Sequence, residues 1–244
     1  MITKHMYSQC LALATALSLW ASGTYAGGKG PLQCDFSTID SPMVNVRIEN
    51  GDIRRAELRL PNNYIMSGGF RGEEVRETLL MRVWKDSFLP YTWADAKSKE
   101  QKLRFSSGLK DDLVILIGSF KYFDQIARME VSAGNYDLPW NSPDADMNGV
   151  LLANGLYGQK IKPKPHLYDV FFARNGEKIT DIISCSQIGD VPSPGCTHIF
   201  ESGPFDLQID YRRDQLDNWK MLRTKTAALV QCFTTKMPTQ KPRN

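Results

Sequence analysis

Four cysteines, Cys34, Cys185, Cys196 and Cys232, constrain this chain more than any other feature, because they follow a segment built for export. The N-terminus has a short cationic start ending at Lys4 and His5, then an apolar run from Leu11 to Trp20, then Ala21-Ser22-Gly23-Thr24-Tyr25-Ala26. Small residues at Thr24 and Ala26 stand where a signal peptidase reads its substrate, so residues 1–26 read as a signal peptide cleaved before Gly27. The apolar run is too short for a stable membrane span, and no later stretch is long and apolar enough to be one. Cys10 is a poor lipid-anchor site, because Tyr7-Ser8-Gln9 lacks the small and aliphatic residues that lipoprotein processing requires. The reading is a soluble periplasmic protein of a Gram-negative-type envelope, in an oxidising compartment where an even number of cysteines implies two disulfides.

Four cysteines allow three pairings. Cys185 with Cys196 is favoured, since the two flank the turn-rich stretch Gly189-Asp190-Val191-Pro192-Ser193-Pro194-Gly195 and would tie its ends together. Cys34 with Cys232 then staples the N-terminal segment to the end of the chain, constraining the unfolded state by about 4 kcal/mol on the loop-entropy account.

Apolar periodicity makes the chain mainly extended. Val44, Val46 and Ile48 alternate on one side of the turn Asn50-Gly51-Asp52, and Ala56, Leu58 and Leu60 on the other, which reads as two strands ended by Pro61. Thr78 to Trp84 is a further strand, and the unbroken aliphatic run Leu113 to Ile117 suits a central strand covered on both faces. Ala94 to Gln101 reads as a charged loop or helical turn, and the residues around Ile126 to Met129 as a short helix. Leu167 to Ala173 and Lys178 to Ser184 form a hairpin about Asn175-Gly176, and Cys196 to Glu201 and Phe205 to Tyr211 another about Ser202-Gly203-Pro204. Leu216, Trp219, Leu222, Thr226, Leu229 and Phe233 recur at helical spacing, predicting an amphipathic helix from Asp214, its cap, to about Phe233. The predicted class is α+β: a mainly antiparallel sheet packed by a C-terminal amphipathic helix and linked by disulfides. The expected organisation is a β-rich half over 27–135, a second half of hairpins plus helix over 150–235 that continues the same domain or forms its own, and a flexible tail over 236–244. Between the halves, Asn135 to Gly149 is rich in Asn, Asp, Pro and Gly and reads as a long loop.

Chemistry-bearing motifs are sparse. The sequence holds 30 Lys and Arg against 27 Asp and Glu. Removing residues 1–26 takes away only Lys4, leaving 29 against 27, a near-neutral chain without a nucleic-acid footprint. His198 stands in Cys196-Thr197-His198-Ile199-Phe200 and reads as a general base, as a metal ligand with Cys185 and Cys196, or as a packed or half-exposed residue beside a disulfide, of which the last is favoured because the spacing fits no common zinc pattern. His166, in Lys162-Pro163-Lys164-Pro165-His166, reads as solvent-facing. No Gly-x-Ser-x-Gly elbow, Walker loop, His-Glu-x-x-His or Cys-x-x-Cys is present, so no catalytic residue, metal site or cofactor is expected. Asp144-Ala145-Asp146-Met147-Asn148-Gly149 copies the first half of a calcium loop, but Gly155 stands where the bidentate glutamate belongs, so a polar surface loop is the better reading. The aromatics Trp84, Phe88, Tyr91 and Trp93 are either core or a recognition surface. If surface, a partner would meet them together with Trp140 and the carboxylates Asp137, Asp144 and Asp146.

Two stretches carry a resemblance. Leu58-Arg59-Leu60-Pro61-Asn62-Asn63-Tyr64-Ile65 with Phe88-Leu89-Pro90, and Cys196-Thr197-His198-Ile199-Phe200 followed by Tyr211-Arg212-Arg213 and Leu216-Asp217-Asn218-Trp219, resemble exported Gram-negative proteins. Some of these are encoded beside type VI secretion effectors and act as immunity proteins. The resemblance implies a non-catalytic protein whose partner is a cognate toxin, and lends no catalytic residue. A small-ligand or envelope-polymer binder that uses the aromatics as a pocket is the first rival, and a hydrolase working through His198 the second.

Overall fold

The computed structural model describes residues 34–49, 55–66, 73–98, 111–118, 123–133, 143, 147–158, 168–189 and 191–236. The leader, His166 and the segment holding Asp137, Trp140, Asp144 and Asp146 lie outside the described residues. Among the described residues, the alternation of apolar residues becomes twelve strands in two sheets. Strands β1 (Met43–Glu49) and β2 (Arg55–Pro61) pair antiparallel, with Val44 opposite Leu60, Val46 opposite Leu58 and Ile48 opposite Ala56. All six apolar side chains therefore lie on one face, and all six are buried. β3 (Glu73–Arg76) runs parallel to β1, and β12 (Thr234–Lys236) closes the other edge against β2, giving the order β12-β2-β1-β3. Neither edge was legible: Glu-Glu-Val-Arg has no apolar alternation, and the start of β12 adjoins what reads as a frayed basic tail.

The larger sheet has the order β4-β5-β11-β10-β9-β8-β7-β6, antiparallel throughout. Its strands are β4 (Leu79–Trp84), β5 (Asp112–Gly118), β6 (Val150–Leu151), β7 (Tyr157–Gly158), β8 (Tyr168–Asn175), β9 (Lys178–Ser186), β10 (Gly195–Ser202) and β11 (Phe205–Arg212). Strands from before residue 135 and after residue 150 thus sit side by side, and the two expected halves share one sheet. Gly176 has φ +62° at the first position of the two-residue β8–β9 loop, the positive φ that a tight hairpin demands. β5 takes its central place between β4 and β11, but it is covered on one side only. Leu113, Ile115 and Ile117 are buried, while Val114 and Leu116 are half-buried on the opposite face.

Among the described residues, three α-helices complete the fold: α1 (Trp93–Lys97), α2 (Phe123–Ala133) and α3 (Trp219–Phe233). α1 starts at a capping box in which the Thr92 hydroxyl accepts from the Asp95 backbone N–H and the Asp95 carboxylate accepts from the Thr92 N–H. α3 begins five residues later than the periodicity predicts, because Arg213–Asn218 forms 3-10 turns and Asp214 does not cap the helix. The Asp214 carboxylate accepts from the Arg212 guanidinium instead, at 3.0 Å. α3 and the small sheet cover one face of the large sheet, where Trp219, Leu222, Leu229, Val230 and Phe233 join the strand side chains in the main core. α2 covers part of the opposite face through Phe123, Ala127 and Val131 against Val170, Phe172, Ile182 and Ile199.

Two disulfides close the structure. Cys34 and Cys232 join segments 198 residues apart, and Cys185 and Cys196 are directly paired residues on β9 and β10. Gly149 shows the same economy of space near the edge strand: its φ is +60°, and a Cβ there would stand 2.7 Å from the Gly158 carbonyl oxygen and 2.9 Å from the Phe172 ring. The glycine that resembles a calcium-loop residue is thus required by close packing on β7 and β8.

Candidate functional site

The two faces of the large sheet carry different chemistry. On the α3 side, His198 of β10 is wholly buried, and its Nε2 lies 2.9 Å from Asp181 Oδ1 of β9. Arg223 of α3 donates to the same oxygen from Nε at 2.7 Å, its guanidinium lying over the Phe200 ring. Burial pushes the His198 pKa down, the Asp181 carboxylate works against that, and the Arg223 charge adds to the lowering. Burial alone would push Asp181 up, but the hydrogen bond and charge of its neighbours hold it below the usual carboxylate range. The pair is therefore an ionised Asp181 accepting from a neutral His198 whose Nε2 carries the proton. The rings of Phe200, Tyr211 and Trp219 surround the imidazole. His198 is thus the packed residue beside a disulfide that its position on β10 suggests, and with no exposure it meets no substrate.

The opposite face is open across β4, β5, β11 and β10. Strand register sets polar side chains in a row there: Ser184 on β9 lies opposite Thr197 on β10, Thr197 opposite Asp210 on β11, Asp210 opposite Val114 on β5, and Val114 opposite Arg82 on β4. Ser184, Thr197, Asp210 and Val114 of this row form the floor of a cleft of about 430 Å³, walled by Glu130 of α2, Tyr168 of β8 and the stretch Ser193–Gly195. Its polar groups are held in place. Thr197 Oγ1 donates to Asp210 Oδ1 at 2.9 Å, Gln208 Nε2 donates to the same oxygen at 3.2 Å, and the Ser184 hydroxyl donates to Glu130 Oε2 at 2.5 Å. At one end Arg82 Nε donates to Asp112 Oδ2 at 2.6 Å, and at the same end Arg212 pairs with Asp214 at 2.7 Å.

The residues expected at a partner surface fall in several places. Phe88 is 1% and Tyr91 6% exposed, so both belong to the interior and neither contributes to a contact surface as expected. Phe88 sits at φ +58°, a strained conformation held by its burial and by the Tyr64 hydroxyl donating to its carbonyl at 3.2 Å. Trp84 is half-buried, packs against Tyr91 with ring centroids 4.7 Å apart, and lies opposite Asp112 on the open face. Trp93 begins α1, and its side chain, like Asp137, Trp140, Asp144 and Asp146, lies outside what is described. Among the described residues no three His, Cys, Asp or Glu side chains gather as a metal site would need. The cleft itself escaped the sequence reading because register assembles it from five strands and a helix. Its clearest local signal is in β11, where Asp206, Gln208, Asp210 and Arg212 alternate with Leu207, Ile209 and Tyr211.

Fold and site together define a disulfide-linked, mainly antiparallel α+β protein with one sealed sheet face and one open, polar face. No protein-family model matches the sequence, and no curated protein sequence matches it. The fold is similar to that of Smlt3025, an immunity protein of the Stenotrophomonas maltophilia type IV secretion system, with a TM-score of 0.54 and 17% identity, covering 79% of this chain and 94% of that one. A weaker likeness, at a TM-score of 0.40 and 12% identity, is to the Neisseria meningitidis iron-regulated outer membrane lipoprotein FrpD, covering 86% of this chain and 98% of that one. The secretion system in the first neighbour's name is type IV, where the sequence resemblance implies type VI. The two disulfides are consistent with an exported protein, and among the described residues no helix is long and apolar enough to cross a membrane.

Proposed function

We propose that this chain is a non-catalytic periplasmic protein, freed of its leader before Gly27, that binds a secreted toxin and neutralises it. The observation that carries the reading is the open sheet face, a rigid polar cleft on a fold shared with an immunity protein. Strand register, side-chain hydrogen bonds and the Cys185–Cys196 disulfide hold its side chains in place, which suits a surface that must bind a folded partner quickly. Type VI is the system implied by sequence and type IV that of the structural neighbour, and the proposal is the class common to both. Its contact surface takes the cleft and Trp84, together with the segment carrying Asp137, Trp140, Asp144 and Asp146 that links α2 to β6. Co-expression in the periplasm with the toxin encoded beside this gene tests it. Survival of the host and a recovered complex support the proposal; continued killing with no complex ends it.

The cleft's volume also suits a small envelope ligand. Thermal shift against glycans, lipids and divalent ions separates the two readings. Stabilisation by a small molecule, with none by the toxin, favours the ligand.

A further inference from the structure

Among the described residues, the charges lining the cleft do not cancel. Asp112 is neutralised by Arg82, and Arg212 by Asp214. Asp210 and Glu130 remain. Their partners are the Thr197 and Ser184 hydroxyls and the Gln208 amide, all neutral, and among the described residues neither carboxylate has a cation within ion-pair distance. Two negative charges thus face one cleft whose hydroxyl donors already point at them. Neutral donors orient a carboxylate without discharging it, so the cleft is complementary to a cation.

The rim supplies a second kind of complementarity. The loop tied by Cys185–Cys196 leaves the cleft wall at Ser186 and rejoins it at Ser193, and between them it exposes Ile188 at 78% and Val191 at 41%. An isolated backbone bridge joins these two positions. Tyr168, 41% exposed, stands on the same wall. Apolar tips beside a charged hollow match a protein loop that carries one cationic side chain among apolar ones. Among cations, arginine fits this lining best: its planar fork bonds several acceptors at once, and its face stacks on an aromatic ring such as Tyr168.

We infer that the cleft between α2 and strands β9, β10 and β11 is the anchor site for an arginine side chain of the protein partner, held by Glu130 and Asp210 and rimmed by Tyr168, Ile188 and Val191. This rests on the toxin-binding reading and gives it a partner chemistry. Because the partner is unidentified, the first probe is N-acetyl-arginine amide, titrated at low salt into the isotope-labelled full chain and followed by NMR. The expected result is a saturable shift of the Ser184, Thr197 and Asp210 amides. The isosteric N-acetyl-citrulline amide should give none, and Glu130→Gln with Asp210→Asn should abolish the response, circular dichroism confirming that the variant is folded. Equal shifts with citrulline, or an unchanged response in the variant, overturn the inference.

The second arm repeats capture of the toxin encoded beside this gene, with the same double variant. A loss of affinity of tenfold or more supports the anchor. Capture equal to wild type overturns the anchor and leaves toxin binding standing, whereas arginine binding with no toxin capture does the reverse.

Discussion

Replacing His198 by Phe separates its packing role from its titration. The wild-type ring is fully buried and neutral, donating to an ionised Asp181, and burial holds its folded pKa below the ordinary histidine value of about 6.5. The unfolded chain therefore takes up the proton first, so the histidine's contribution is complete above about pH 6.5 and is lost as pH falls. The slope approaches about 1.4 kcal/mol per pH unit for one such group, and between about pH 7.5 and about pH 5 the loss sums to roughly 2 kcal/mol if the buried ring stays neutral. Asp181, lowered from 3.8, adds its own loss only below about pH 4. His198→Phe keeps the ring volume but strips a hydrogen bond from a buried carboxylate, so it is less stable at neutral pH by about 1–3 kcal/mol. Its disadvantage then narrows by roughly 2 kcal/mol on going to about pH 5. Urea denaturation of both proteins at several pH values reads this directly, since the remaining histidines cancel in the difference. Parallel stability curves for the two proteins would refute the buried neutral histidine, as would a wild-type advantage that grows on acidification.

Two further outcomes concern the scaffold. Cys34→Ala with Cys232→Ala opens a closure of 198 residues, for which loop entropy gives about 5 kcal/mol, somewhat above the sequence-based figure, with a larger denaturant m-value as the unfolded chain expands; guanidinium unfolding with an unchanged midpoint contradicts this. Trp219→Ala removes a buried side chain whose indole N–H donates to the Asn154 carbonyl at 3.1 Å, and should cost about 3–5 kcal/mol. Trp219→Phe keeps most of the packing and should cost about 1 kcal/mol, both read by thermal or urea unfolding.

Legibility in the sequence followed the reach of each signal. Hairpins around Gly176 and Gly203 are visible because a two-residue loop and its flanking alternation lie within a dozen residues. The helix face from Trp219 to Phe233 is visible for the same reason. Its start was misplaced because Leu216 and Trp219 fit an α-helical period and a 3-10 turn equally, and only the Arg212–Asp214 pair discloses which forms. Parallel pairing of β3 with β1 leaves no local trace, since the partners are more than twenty residues apart and the strand is polar. The cleft is harder still. Ser184, Thr197 and Asp210 become neighbours only when β9, β10 and β11 take one register, and a single-residue slip would turn all three into the core. The aromatics around Pro90 show the converse: richness in rings predicts contact area, but the tight loop after Trp84 turns Phe88 inward.

The strand Thr234–Lys236 lies along β2, two residues beyond the cysteine bonded to Cys34. Synthesis releases residues 34–61 well before 232–236. Strand β2 must therefore wait, one edge bare, until residue 236 has emerged. Removing residues 232–236 would strip that edge and its covalent clasp together, so the opening strands depend for their closure on a segment made long after them.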